Sequence, residues 1–191
     1  MRVVQYALQP VMRPSTGEIV ARVWRTSAPF SANGDRVLEQ ALLDAARWRA
    51  LGLLPPEPVW MPAPRVHRLE DVAGLRRVTE AIRPMAWVVQ REEEVRPIAE
   101  LRLLQSMAPI IVDRRTAERW GVELGDVMVE VTDRDPEPMD PAHAVMRAEH
   151  EATVGRAIGI GVAAVWGMAV ARPTWLGAAP MGVRTEAEAR A

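Results

Sequence analysis

The sequence predicts an α+β fold: a small β-barrel or mixed sheet with two or three packed helices, a long C-terminal helix and an extended apolar tail. Three observations support this. Hydrophobic residues make up 49% of the 191 residues, enough for a core. Short apolar segments alternate with amphipathic ones, and clusters of proline and glycine separate them. The chain has no cysteine, so its core must be stable without disulfides.

The N-terminal segment predicts a β-hairpin. Residues 3–9 and 18–26 are strand-like, and Pro14-Ser15-Thr16-Gly17 lies between them. Proline and glycine supply the fixed and the permissive backbone angles that a turn requires.

Two amphipathic helices are predicted next, on either side of an extended connector. The first begins near Asn33 and ends near Gly52, with Trp48 on its apolar face. Residues 55–66 contain five prolines, which favours an extended connector over a helix. The second helix covers about 69–82 and precedes a strand that begins at Trp87-Val88-Val89.

The most specific local pattern covers residues 108–131. A strand at Ile110-Ile111-Val112 leads into a short helix from Asp113 to Trp120, then Gly121-Val122-Glu123-Leu124-Gly125-Asp126 and a strand at Val127 to Val131. This order resembles the GD-box unit of the cradle-loop barrels, which include swapped-hairpin regulators and double-psi barrels. A faint echo of the same spacing begins at Asp44, as an internal duplication would produce.

The resemblance implies a possible DNA-binding role. Swapped-hairpin regulators bind DNA through basic residues, and the residues here that would contact phosphates are Arg114, Arg115 and Arg119. The formal net charge of −1 weakens any general attraction to nucleic acid. Asp113 also stands where those regulators commonly have proline.

The C-terminal third predicts a separate unit. Residues 1–133 form an α+β domain in this interpretation, residues 134–140 a linker, and residues 141–191 the C-terminal helix and tail. Asp140 and Pro141 are typical of a helix start, and the helix is expected to run to about residue 171. Residues 157–171 are uncharged but rise only about 22 Å, less than a bilayer core, so membrane contact is disfavoured.

This C-terminal unit is the predicted interaction surface. Glycines on the helix permit close approach of another backbone, and the apolar tail needs a cover. We expect a protein partner, self or heterologous, to bind through residues 155–183. The residues selected for this contact are Gly159, Trp166, Gly167, Trp175, Leu176 and Met181.

A search for catalytic residues gives one weak candidate pair, His143 and His150. On a continuous helix the two would share a face but lie about 10 Å apart, too far to chelate one metal ion without help from another element. The sequence lacks a P-loop, a dinucleotide fingerprint and a nucleophile elbow. No catalytic, cofactor-binding or metal-binding residue is therefore assigned, and no cofactor is expected.

Three functions remain open. The first is a non-enzymatic structural or assembly protein, such as a subunit of a virion or large complex, that docks through its C-terminal helix and tail. The second is a DNA-binding regulator, and the third is a metal-dependent enzyme that uses His143 and His150. All 24 basic residues are arginine, for which a GC-rich genome is the simplest explanation. No signal peptide is evident, so we expect a protein that is cytoplasmic or incorporated into a particle assembled there.

Overall fold

The computed structural model describes residues 5–26, 34–66, 72–89, 96–121, 127–136, 138 and 140–176. The strands are β1 (Tyr6–Met12), β2 (Ile19–Thr26), β3 (Val59–Pro62), β4 (Met85–Val88), β5 (Ile110–Asp113), β6 (Met128–Val131), β7 (Ala144–Arg147), β8 (Ala164–Trp166) and β9 (Thr174–Trp175). The helices are α1 (Gly34–Ala50), α2 (Val72–Ile82), α3 (Ile98–Gln105), α4 (Arg114–Trp120) and α5 (Glu151–Ile160), with a 3-10 turn at Pro141–His143.

Strands β1 to β8 close into a barrel. Each strand from β2 to β7 pairs in parallel with the next one along the chain, which makes a parallel series from β2 to β8. Strand β1 closes the ring because it pairs antiparallel with both β2 and β8, and β9 pairs with the other end of β1. Helices α1 to α4 connect the successive parallel strands from β2 to β6, and α5 connects β7 to β8. The architecture is therefore an eight-stranded α/β barrel with one reversed strand.

Alternation along the strands produces two apolar layers. Parallel strands covered by helices are buried on both faces, and successive side chains point to opposite faces. One set fills the barrel interior: Val11, Ala21, Val23, Trp60, Ala86, Ile111, Val145, Ala164 and Trp166. The alternate positions pack outward beneath the helices in a larger cluster.

An aromatic cluster joins α1 to the hairpin. The rings of Tyr6, Trp24 and Trp48 lie with centroids 5.0–5.7 Å apart. The Tyr6 hydroxyl donates a 2.9 Å hydrogen bond to Asp44, and burial, followed by that bond, raises the pKa of Tyr6. The expectation that Trp48 belongs to the core is confirmed.

Several predicted elements are confirmed. The hairpin is present as β1 and β2, and its turn contains Gly17 at φ +72°. Helices α1, α2 and α4 and strands β4, β5 and β6 match predicted segments, within a few residues at the ends. Asp113 caps α4, and Gly121 ends it in the left-handed conformation that glycine adopts most easily.

The predicted long helix at 141–171 is wrong. This segment contains the 3-10 turn, β7, α5 and β8 in succession, and α5 ends at Gly161, whose φ of +77° is left-handed. The uncharged residues 157–171 are apolar because β8 is buried in the barrel. Residues 1–133 and 141–191 contribute strands to one sheet. In the described residues, no helix is both long and apolar enough to cross a membrane.

The cradle-loop interpretation is also wrong. The strand and helix of the 108–131 pattern are present, but they form one β-α-β step among the parallel strands of the eight-stranded barrel. Residues 122–126, which include most of the GD-box turn, lie outside the described residues. The segment with the faint echo of this spacing includes β3, whose pairing with β4 continues the same sheet.

A buried ion pair fixes the segment after β3. The Arg96 guanidinium lies 3.0 Å from the Glu100 carboxylate, and both side chains are about 5% exposed. Arg96 also donates to the carbonyl oxygens of Ala63 and Pro64, while Glu100 accepts from the backbone N–H of Val66. The pair thereby satisfies backbone groups that no strand partner reaches.

Replacement of Gly167 by alanine is expected to destabilise the protein by about 2 kcal/mol or more. Gly167 follows β8 with φ +127°, and an added Cβ would lie 2.2 Å from the carbonyl oxygen of Ala148. Urea unfolding followed by circular dichroism measures the change. Gly155→Ala is the matched control, because its Cβ meets open space on α5 and should stabilise that helix slightly. Equal stability of the two variants would contradict the assigned packing.

Replacement of Arg96 by methionine is expected to cost about 3–5 kcal/mol, because it removes a positive charge that is buried 3.0 Å from the Glu100 carboxylate. The double variant Arg96→Met/Glu100→Gln should be less destabilised than Arg96→Met alone, since a neutral amide oxygen still accepts from Val66. Urea unfolding of both variants tests this order. A cost below about 1 kcal/mol for Arg96→Met would show that the pair is not buried as described.

Candidate functional site

The barrel mouth at the carboxyl ends of the parallel strands is the candidate site. Arg25, Glu130, Arg147 and Trp166 each lie at or next to the end of a strand. Three of them lie two positions beyond an interior residue, since Val23 precedes Arg25, Val145 precedes Arg147 and Ala164 precedes Trp166. The period of two therefore directs their side chains toward the barrel axis. Active sites of α/β barrels are built at this end.

These side chains line a cavity of about 370 Å³, a size typical of small-molecule sites. Its lining includes Val23, Trp24, Arg25, Trp60, Pro62, Val88, Val89, Asp113, Arg114, Arg115, Glu130, Thr132, Asp135, Arg147 and Trp166. The residues come from β2 to β8 and the segments that follow these strands. Polar and aromatic groups thus converge on one concave surface.

Trp166 is in contact with two guanidinium groups. The Cζ atom of Arg25 lies 5.0 Å from the ring centroid, and that of Arg147 lies 5.2 Å from it. Both distances are within the range of cation–π attraction. Trp166 is itself buried, so it provides a rigid base beneath the two cations.

Hydrogen bonds hold each arginine by its Nε atom. Arg25 donates from Nε to Oε1 of Gln9 at 3.0 Å, and Gln9 donates in turn to the carbonyl oxygen of Ala171. Arg147 donates from Nε to Oε1 of Glu149 at 2.7 Å. Among the described residues, neither arginine uses its terminal Nη groups in a hydrogen bond. The bidentate ends of both side chains are therefore available to a ligand.

Two of the three carboxylates in the cavity wall are committed to local structure. Asp113 accepts from the backbone N–H and the hydroxyl of Thr116, at 3.1 and 2.8 Å. Asp135 accepts from the backbone N–H and the hydroxyl of Thr132, at 2.7 and 2.8 Å. Both contacts fix a chain segment that follows a barrel strand.

Glu130 is the third carboxylate and has a different environment. Burial raises the pKa of the Glu130 carboxyl, and the negative charges of Asp113 and Asp135 act in the same direction. The positive charges of Arg147 and Arg25 oppose this shift. Burial, followed by the positive charge of Arg147, also lowers the pKa of Arg25, although arginine stays protonated in proteins. The mouth thus concentrates positive charge beside a carboxyl that is easily neutralised.

The residues predicted for protein contact are distributed over three places. Trp166 and Gly167 lie at the barrel mouth and just beyond it, and Gly159 is exposed on α5. Trp175 on β9 is 53% exposed, and Leu176 packs partly against the core. Met181 lies outside the described residues. Contact with another chain through residues 155–183 stays a prediction, but Trp166 contributes to a cavity that sequence reasoning did not anticipate.

Two of the three arginines proposed for nucleic acid line the cavity. Arg114 and Arg115 belong to its wall, and Nε of Arg114 donates to Glu118 at 2.7 Å. Arg119 instead donates to the backbone carbonyl of Arg96 at 2.7 Å. Arg114 and Arg115 thus line the cavity, whereas Arg119 contacts the backbone that precedes α3.

The two histidines do not form a site together. Nδ1 of His143 lies 2.8 Å from Asp140, whereas His150 precedes α5, with strand β7 between them in the chain. In the ranges that the structure describes, no group of three histidine or acidic residues could hold a metal ion. The proposed metal enzyme based on His143 and His150 is wrong, because it required one continuous helix.

Sequence reasoning missed Arg25, Glu130 and Arg147. Each is a charged residue at or near the end of a strand, and Arg25 and Arg147 each lie two positions beyond a buried interior residue. That pattern is the available signal. It requires knowing that the strands are parallel and adjacent, which the sequence alone did not indicate.

Comparison with solved structures identifies the fold. The PaMucR phosphodiesterase in complex with c-di-GMP matches with a TM-score of 0.65 and 15% identity, over 91% of this chain and 97% of that one. The EAL domain of Mycobacterium smegmatis DcpA matches with a TM-score of 0.61 and 16% identity, over 89% and 92% of the two chains. No protein-family model and no curated protein sequence matches this chain.

A further match carries metal as well as nucleotide. BlrP1 of Klebsiella pneumoniae, in a calcium and cyclic di-GMP complex, has a TM-score of 0.66 and 15% identity, over 92% of this chain and 57% of that one. The expected non-enzymatic structural or assembly protein, including the virion subunit and the DNA-binding alternative, is wrong, because the matching structures are phosphodiesterase and EAL-domain proteins. This chain has the barrel fold of the EAL domains.

Proposed function

We propose that this chain is a cyclic-dinucleotide signalling domain that binds c-di-GMP at its barrel mouth. The arrangement of Arg25 and Arg147 around Trp166 carries the proposal. A cyclic dinucleotide presents two phosphodiester anions and two purine bases. Guanidinium groups bind the former through paired N–H donors, and both guanidinium and indole planes stack on the latter.

The position of the cavity supports the same conclusion. It lies at the carboxyl ends of the strands, where barrels of this type bind their ligands. Solved structures with this fold contain c-di-GMP. The lining combines aromatic and apolar surface with converging charges, as small-molecule sites do. Because the described residues offer no metal-holding group, we propose binding and derive no hydrolytic step.

Isothermal titration of the full chain with c-di-GMP tests the proposal. We expect saturable binding, with weaker binding of a linear guanine nucleotide that cannot place two phosphodiesters at once. Chromatography of the same samples detects any linear dinucleotide, and its release would extend the proposal from binding to hydrolysis. Absence of c-di-GMP binding across the accessible concentration range would refute it.

Replacement of Arg147 by alanine should weaken c-di-GMP binding by about 10- to 100-fold, the effect of losing a charge-assisted hydrogen bond. Arg13→Ala is the matched control, since it removes the same charge from a surface ion pair with Glu18. Arg13 follows the last residue of β1, and because β1 is antiparallel to β2 and β8, this end of β1 lies away from the barrel mouth. Titration calorimetry on both variants, with circular dichroism to verify folding, measures the difference. Equal losses in the two variants would indicate a general charge effect.

Affinity for c-di-GMP should depend on pH through Glu130. Its raised pKa means that the carboxyl is neutral below that pKa and ionised above it. Only the ionised form repels phosphate and competes for Arg25 and Arg147, so affinity should fall by about tenfold as pH rises through the raised pKa. Titrations at a series of pH values, for wild type and Glu130→Gln, provide the measurement. The variant should keep high affinity throughout; a parallel decline in both proteins would assign the pH dependence to another group.

A further inference from the structure

The charge balance of the barrel mouth bears on how a phosphodiester would be neutralised. Its described lining includes four arginines and three carboxylates. Divalent cations such as calcium and magnesium require several oxygen ligands, chiefly carboxylates. The calcium complex of BlrP1 raises the question of whether this mouth also suits a cation.

The described carboxylates do not fit that role. Asp113 and Asp135 each accept hydrogen bonds from one backbone N–H and one threonine hydroxyl, so a cation would compete with these donors for the carboxylate oxygens. Glu130 faces Arg25 and Arg147, whose positive charges would repel a cation at that position. No group of three potential ligands occurs within the described ranges.

The arginines offer the complementary arrangement. Arg25 comes from β2 and Arg147 from β7, and both guanidinium groups lie against the one ring of Trp166. Their Nε atoms donate hydrogen bonds within the protein, which orients the Nη atoms, and no described residue forms a hydrogen bond with those Nη atoms. A preoriented guanidinium fork binds a phosphate oxygen pair at a smaller entropic cost than a flexible lysine.

We infer that the guanidinium groups of Arg25 and Arg147 neutralise the phosphodiesters of the bound cyclic dinucleotide and that binding needs no divalent cation. The inference rests on the proposed function and specifies its chemistry. The two positive charges held against Trp166 would supply the charge neutralisation that a metal ion could otherwise supply.

The test is calorimetric titration of the full chain with c-di-GMP at one ionic strength, in EDTA and then in magnesium, manganese or calcium. We expect dissociation constants that agree within about twofold across the four conditions, because the inferred binding involves no divalent cation. Manganese retained by the complex after desalting, measured by elemental analysis, should be far below one ion per chain. These measurements use the unaltered protein and do not depend on the folding of a variant.

The variants Arg25→Gln and Arg147→Gln, titrated in EDTA, test whether the two guanidinium groups neutralise the phosphodiesters. Each should lose at least tenfold in affinity, whereas Arg13→Gln should remain within twofold of wild type. Arg147→Lys should also lose affinity, since it keeps the charge but not the fork. Circular dichroism verifies that each variant is folded.

The outcomes separate the two proposals. No binding in any condition would refute the proposed function itself. Binding that requires a divalent cation would support the function and overturn this inference. Cation-independent binding that survives both glutamine substitutions would overturn it as well, because the arginines would then not carry the phosphate charge.

Discussion

Closure of the barrel by β1 is the constraint on which the rest of the structure depends. This strand runs against its neighbours and pairs with β2 along seven residues and with β8 at Val11 and Met12. Without it, the parallel strands β2 to β8 would form an open sheet with two unpaired edges. Closure brings the carboxyl ends of β2 and β8 together, and Arg25 thereby reaches Trp166 although 141 positions separate them in the chain.

Local chemistry predicted the elements whose signals are contained in a few residues. The Pro14–Gly17 turn, the amphipathic stripe of α1 and the Asp113 cap of α4 each act within one segment, and each is present. The missed strands β3, β7 and β8 have only three or four residues, but the correctly predicted β4, β5 and β6 have four each, so length alone did not decide the outcome. A short apolar segment has no period that separates strand from helix, and their partners come from other parts of the chain. The prolines that flank β3 further concealed it.

The site was not predictable for the same reason. The assignment of residues 141–171 to one helix put Arg147 and Trp166 on the same helix. Neither residue could then be recognised as the end of a strand. Arg25 was assigned to a strand correctly, but its neighbours in the mouth were not. Convergence of these residues is a property of barrel closure and strand register. Local sequence patterns encode caps and turns, but they encode neither the closure of the barrel nor the register of its strands.

The exclusive use of arginine has a local consequence that composition alone does not reveal. At surface positions such as Arg13, the choice between arginine and lysine has little effect, and codon bias is a sufficient explanation for the arginine. At the barrel mouth the guanidinium stacks on Trp166, donates from Nε to Gln9 or Glu149 and still presents two Nη groups. A lysine ammonium is one strongly hydrated point charge and cannot perform the three tasks together. The composition that makes the sequence look merely GC-rich therefore also supplies the only basic side chain suited to this arrangement.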